Sequence, residues 1–228
     1  MMNVLLRNFL KIIAVLIITS CSVSTPEIKG SRWSITFVKD LNRDKLYEKL
    51  SIFVNCYDED GEDDIDTIYF IDDESGLYWE LDRDSWVERQ DGRSKWLGSN
   101  ALIMADRGAI PRNSFRIFVR DLSGASVEDK IYITKNIVNL DEMEFPDLQV
   151  YMGEIALKEY DRGVLTIYSS AGEVLKSVEI DKNLTSFAKL FGKERSSFDS
   201  DVEMFLSVTR DEGNLETGPF KLSIFDSE

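Results

Sequence analysis

The chain has 228 residues, with 27 Lys plus Arg against 42 Asp plus Glu, no His, and a formal net charge of −15. Apolar residues make up 43% and aromatics 11%, which suits a chain that buries a core and does not suit a disordered one. The negative charge argues against nucleic acid and anionic headgroups as partners, and the missing histidine removes Ser-His-Asp and Cys-His catalysis and any His-bearing zinc site.

At the start of the chain, Arg7 and Lys11 supply positive charge and Ile12 to Ile18 an apolar run. That run closes in Ile18-Thr19-Ser20-Cys21, and no acidic residue precedes Cys21. A positive start, an apolar middle and small residues before the cut make up a secretion signal. The run falls short of the about 20 apolar residues a membrane-crossing helix needs. Its last four residues resemble the lipobox of bacterial lipoproteins. The resemblance implies removal of the signal peptide, residues 1–20, acylation of Cys21, and a chain held to the membrane by lipid. Ser22 after the cysteine goes with sorting to the outer membrane. An ordinary cleaved signal peptide is the alternative. Several acyl chains anchor stably where one is marginal. With Cys21 lipidated, Cys56 has no disulfide partner, and its place in the apolar run Ile52 to Tyr57 predicts a buried, inert thiol. Residues 21–31, small and polar with Pro26, read as the lipidated tether.

From Arg32 onward, short β-like runs alternate with turn residues. Trp33 to Val38, Leu50 to Val54, Ile65 to Ile71, Leu77 to Leu81, Ser85 to Val87, Lys95 to Leu97 and Ala101 to Met104 are the strand candidates. Leu41 to Leu50 holds a polar turn or a short helix. Phe115 to Arg120 and Lys130 to Ile133 form the clearest hairpin, turning at Gly124, with Phe115, Ile117 and Val119 on one face. Strands at such spacing suggest a sandwich or barrel.

Two stretches carry a further resemblance: Asp58-Glu59-Asp60-Gly61-Glu62-Asp63-Asp64-Ile65, and Arg112 through Gly124 with its Phe115-Arg116-Ile117-Phe118-Val119-Arg120-Asp121 core. They resemble the acidic loop and final hairpin of bacterial immunoglobulin-like and fibronectin type III-like domains. The likeness covers roughly residues 32–137 and implies a β-sandwich there. The Cys-Trp-Cys pattern of antibody domains is absent.

Residues 138–146, polar and acidic and closing on Pro146, read as a linker. A second set follows over 147–228: Leu148 to Met152, Val164 to Tyr168, Val174 to Ile180, Val202 to Val208 and Phe220 to Ile224, with one or two helical turns within Leu184 to Phe191. The expected architecture is all-β, two tandem immunoglobulin-like or fibronectin-like sandwiches after a lipoprotein signal peptide. One larger sandwich is the alternative.

Two clusters are candidate sites. Asp58, Asp60, Glu62, Asp64 and Asp66 offer the hard oxygen donors that calcium takes six to eight of. Placing Gly61 at the sixth position of an EF-hand loop puts Cys56 and Thr67 at the first and last, so that template fails. A solvated acidic surface is the plainer reading of the same residues. Tyr78, Trp79, Trp86 and Trp96 could form a stacking platform for sugars or peptides, or belong to the core. No glycine-rich phosphate loop and no Gly-x-Ser-x-Gly elbow occurs. The expectation is a lipid-anchored, non-catalytic binding or scaffolding protein of the cell envelope, without a cofactor unless calcium is one. A protein or glycan is its expected partner. The alternatives are a carbohydrate-binding surface lipoprotein and a structural part of an envelope complex.

Overall fold

A computed structural model describes residues 24–134, 138–169, 174–191, 202–211 and 213–221. The expected leader, the lipobox-like stretch and Cys21 lie outside the described residues. The chain is mostly β. In order the strands are β1 (Glu27–Asp40), β2 (Lys45–Tyr57), β3 (Ile65–Asp72), β4 (Leu77–Asp82), β5 (Val87–Asp91), β6 (Ser94–Ile103), β7 (Ser114–Asp121) and β8 (Ser126–Tyr132). They continue with β9 (Asp147–Tyr151), β10 (Glu154–Lys158), β11 (Arg162–Tyr168), β12 (Val174–Asp181), β13 (Thr185–Ser186), β14 (Glu203–Arg210) and β15 (Gly213–Lys221). One short helix, α1 (Phe187–Phe191), stands where a helical turn was expected.

Two compact units form. The first takes the chain up to Ser31, Val54–Leu97 and Phe115–Ile131; the second takes Arg32–Phe53, Gly98–Ser114 and the chain from Tyr132 on. This differs from two domains in tandem on either side of 138–146. The reason is a long-range pairing inside the second unit. Strand β1 runs parallel to β15, from Thr36 opposite Asn214 to Asp40 opposite Gly218, so the first and last described strands share one sheet. In that unit β12-β11-β14-β15-β1-β2-β6 lie in sheet order, and β13-β10-β9 form a separate three-stranded sheet. Leu157, Leu165, Ile167, Phe187, Met204 and Leu206 belong to its apolar core. Gly98 in β6 permits close approach: a Cβ there would sit 2.0 Å from the carbonyl oxygen of Ile52.

The first unit is built on the four-stranded sheet β4-β3-β7-β8. Alternation in β7 buries Phe115, Ile117, Val119 and Asp121 and leaves the residues between them half-exposed. Strand β3 is antiparallel to both β4 and β7. Ile65 pairs with Asp121 and Thr67 with Arg120, so Asp66 bulges out of the ladder.

Aspartate ends one strand after another. Asp40, Asp72, Asp82, Asp91, Asp121 and Asp181 are the last residues of β1, β3, β4, β5, β7 and β12. Five of these carboxylates accept main-chain N–H groups of the following turn: Asn42 and Arg43 on Asp40, Glu74 on Asp72, Asp84 on Asp82, Ala125 on Asp121 and Asn183 on Asp181. This is the Asx-turn chemistry that makes Asp a turn former.

The second unit also buries an ion pair. Glu48 in β2, 1% exposed, receives Arg112 through both oxygens at 2.8 Å and the N–H of Ile110 at 2.8 Å. Arg112→Ala should therefore lower stability by about 3–5 kcal/mol, because it strands a buried carboxylate. The pair Glu48→Gln with Arg112→Met keeps an acceptor for Ile110 and should recover most of that loss. Urea unfolding midpoints of the three proteins check this.

Candidate functional site

The acidic loop joins β2 to β3 in the first unit. Its shape comes from hydrogen bonds to Asp58, the first residue after β2. The N–H of Asp60 donates to Asp58 Oδ1 at 2.9 Å, and that of Gly61 to the Asp58 carbonyl at 3.2 Å. Gly61 sits at φ 127°, a conformation that favours glycine, and leads into a 3-10 turn over Glu62–Asp64. Three carboxylates converge: one oxygen each from Asp58, Asp60 and Asp64 lies within 4.8 Å of the others.

Two segments distant in sequence join the loop. Before β1, Ser24 donates its N–H to Asp60 Oδ2 at 2.8 Å and its hydroxyl to Asp58 Oδ1 at 2.5 Å. From β7 comes Asp121, which pairs across from Ile65. The next residue, Leu122, donates its N–H to the carbonyl of Asp64 at 2.8 Å. Desolvation, then the negative charges of Asp121, Asp58 and Asp60, push the Asp64 carboxyl above its ordinary value, against the attraction of Arg83. The Arg83 guanidinium itself donates to the carbonyls of Asp63 and Ile65.

The other acidic candidates go elsewhere. Asp66, bulged from the ladder, accepts the Thr67 hydroxyl at 2.8 Å and Arg120 at 3.0 Å, and both hold its carboxyl low. Asp72 accepts from Glu74 and Ser75, and Asp73 pairs with Arg116 at 2.9 Å. The side chain of Glu62 lies outside the described residues. Asp121 was not among the candidates. It lies far along the chain from the loop, and only the pairing of β3 with β7 brings it there.

The four aromatic candidates do not form one platform. Trp79 stacks on buried Phe115 with ring centroids 5.9 Å apart, while its neighbour Tyr78, on the opposite face of β4, is 61% exposed. Trp96 is buried in β6, and Trp86 is half-buried before β5. Tyr78 instead leads a row across the sheet: Tyr69 lies 6.5 Å from it and Phe118 5.9 Å beyond Tyr69. Cys56 is a buried free thiol, pushed up to about 12 by desolvation.

No protein-family description matches this chain, and no curated protein sequence matches it. Among solved structures it is similar to one described as "Biofilm associated protein - BSP domain", at 9% identity and a TM-score of 0.25. That likeness spans 84% of this chain and 28% of the other. At such a score it decides neither fold nor activity.

A carboxyl raised on folding holds its proton longer folded than unfolded, so it withdraws stability as pH rises between the two values. A lowered carboxyl such as Asp66 contributes stability above its unfolded value and loses it as pH falls. In chelator at neutral pH, Asp64→Asn should raise the melting temperature and Asp66→Asn should lower it. Thermal scans from about pH 4 to neutrality check both signs, and Asp64→Asn should flatten the decline toward neutral pH.

Proposed function

We propose that this protein is a lipid-anchored component of the cell envelope that binds or scaffolds and does not catalyse. Ile18-Thr19-Ser20-Cys21 at the end of an apolar run carries this reading. The first strand begins at Glu27, so few residues separate the acylated cysteine from ordered β-structure. On this reading the membrane is reached through lipid on Cys21; no helix among the described residues is long and apolar enough to cross a bilayer. Immunoglobulin-like or fibronectin-like sandwich packing belongs to the same reading, supported by strands such as β7 that are apolar on one face and mixed on the other. The outer membrane is the proposed location, with a protein or glycan as partner. In detergent phase separation of whole cells, the native chain should enter the detergent phase and Cys21→Ala the aqueous phase. Equal partitioning of the two would overturn the anchor.

One observation favours glycan capture as a second reading. Tyr78, Tyr69 and Phe118 line one face of the four-stranded sheet, with Arg120 paired to Asp66 on the same strands. Aromatic faces beside fixed polar groups suit sugar rings. Tyr78→Ala should then reduce retention on a glycan array at least tenfold, and an array silent with the native chain would remove the reading.

A further inference from the structure

Four aspartates are buried among the described residues: Asp40, Asp58, Asp72 and Asp121, at 5%, 2%, 0% and 1% exposure. All four cap turns, so they make a controlled comparison. Asp40 has both oxygens engaged, Oδ1 by two N–H groups and Oδ2 by Arg43 and Arg107. Asp72 likewise uses Oδ1 for Glu74 and Oδ2 for Ser75. Asp58 and Asp121 differ. Asp58 Oδ1 takes the Ser24 hydroxyl and the Asp60 N–H, and Asp121 Oδ1 takes the Ser123 hydroxyl and the Ala125 N–H. In both, Oδ2 is buried with no hydrogen-bond partner.

An ionised carboxylate buried with an unengaged oxygen is strongly unfavourable unless a charge answers it. Among the described residues, no Lys or Arg forms an ion pair with Asp58, Asp60, Asp64 or Asp121; the charge of Arg83 acts on Asp64, while its guanidinium is spent on the carbonyls of Asp63 and Ile65. Both residues stand at the acidic loop, Asp58 within the carboxylate triad and Asp121 beside it, opposite Ile65 and outside the 4.8 Å spacing of the three. Asp121 is the largest of the negative charges acting on Asp64. One oxygen shapes the loop and the other is left for a ligand, twice over.

We propose that Asp58, Asp60 and Asp64 bind one calcium ion at the β2–β3 turn of the first unit, with the unengaged carboxylate oxygen of Asp121 closing on it from the end of β7. The donors are all hard oxygens, which suits calcium or magnesium and not zinc or copper. Carboxylates drawn from a loop, a 3-10 turn and a strand end form an irregular set. Calcium accepts such geometry, whereas magnesium demands near-ideal octahedra. Ser24, bonded to Asp58 and Asp60, ties the chain just after Cys21 to the same carboxylates. The ion thereby fixes the root of the tether. Binding at this site does not depend on the lipid anchor.

The test is calcium titration of the full chain in detergent by calorimetry, with thermal unfolding in calcium, in magnesium and in chelator. Calcium should bind with one-to-one stoichiometry and raise the melting temperature by several degrees, more than equal magnesium. Asp58→Asn and Asp121→Asn keep an Oδ1 acceptor for the turn, so they should fold and lose the calcium-dependent rise. Asp66→Asn and Cys21→Ala should keep it. No heat and no shift at millimolar calcium would overturn the site. So would retention of the rise in Asp121→Asn, or its loss in Asp66→Asn.

Discussion

A strand that stops leaves main-chain N–H groups in the turn beyond it without ladder partners, and the turns of this protein depend on how those groups are met. Aspartate meets them at the ends of β1, β3, β4, β7 and β12. A short carboxylate reaches an N–H two to four residues ahead without leaving the backbone path. This gives part of the acidic composition a structural role. Some of the charge that would otherwise suggest a basic partner or a counter-ion cloud is the cost of tight turns in a chain of short strands. Net charge therefore carries less functional meaning here than its size suggests.

Against that background, what matters is which turn aspartates keep an oxygen free. Where a guanidinium or hydroxyl reaches the second oxygen, as at Asp40 and Asp72, the carboxylate is a finished structural part. Where neither does, as at Asp58 and Asp121, burial without compensation marks the place as built for something else. Asp66 shows how narrow the margin is. The bulge at Ile65/Thr67 turns it toward Arg120 and away from its neighbours in the loop.

The sequence revealed what is local. Alternation placed β3, β4, β7, β11, β12 and β14 within a residue or two, because side-chain direction along a strand is set by the backbone itself. The hairpin of β7 and β8, turning at Gly124, was legible for the same reason. Lys95 to Leu97 and Ala101 to Met104 read as separate runs, yet they are one strand. The polar residues between them do not break β6, and Gly98 within it serves a close backbone approach. The first residues of β1 looked like tether because they are small and polar, and β10 escaped notice because five residues carry little pattern. Parallel pairing of β1 with β15 has no local signature, and neither does the arrival of Asp121 beside Asp64. Both are set by which strands find each other across the length of the chain, and loop-closure entropy grows too slowly with separation to favour near partners strongly.

Alternation also decides which aromatic residues are available to a partner. Tyr78 and Trp79 are adjacent, so β-geometry sends one outward and the other onto Phe115 in the interior. Tryptophan, which the sequence offered either as a stacking platform or as core, is thereby placed in or near the core at Trp79 and Trp96. The outward row falls to Tyr69, Tyr78 and Phe118, which no local pattern grouped, because two of them meet only through register: Tyr69 opposite Phe118 across β3 and β7. A recognition surface on a sheet is a property of pairing as much as of composition. For the same reason, a one-residue slip between β3 and β7 would remove the aromatic row and the Asp121–Ile65 pairing together.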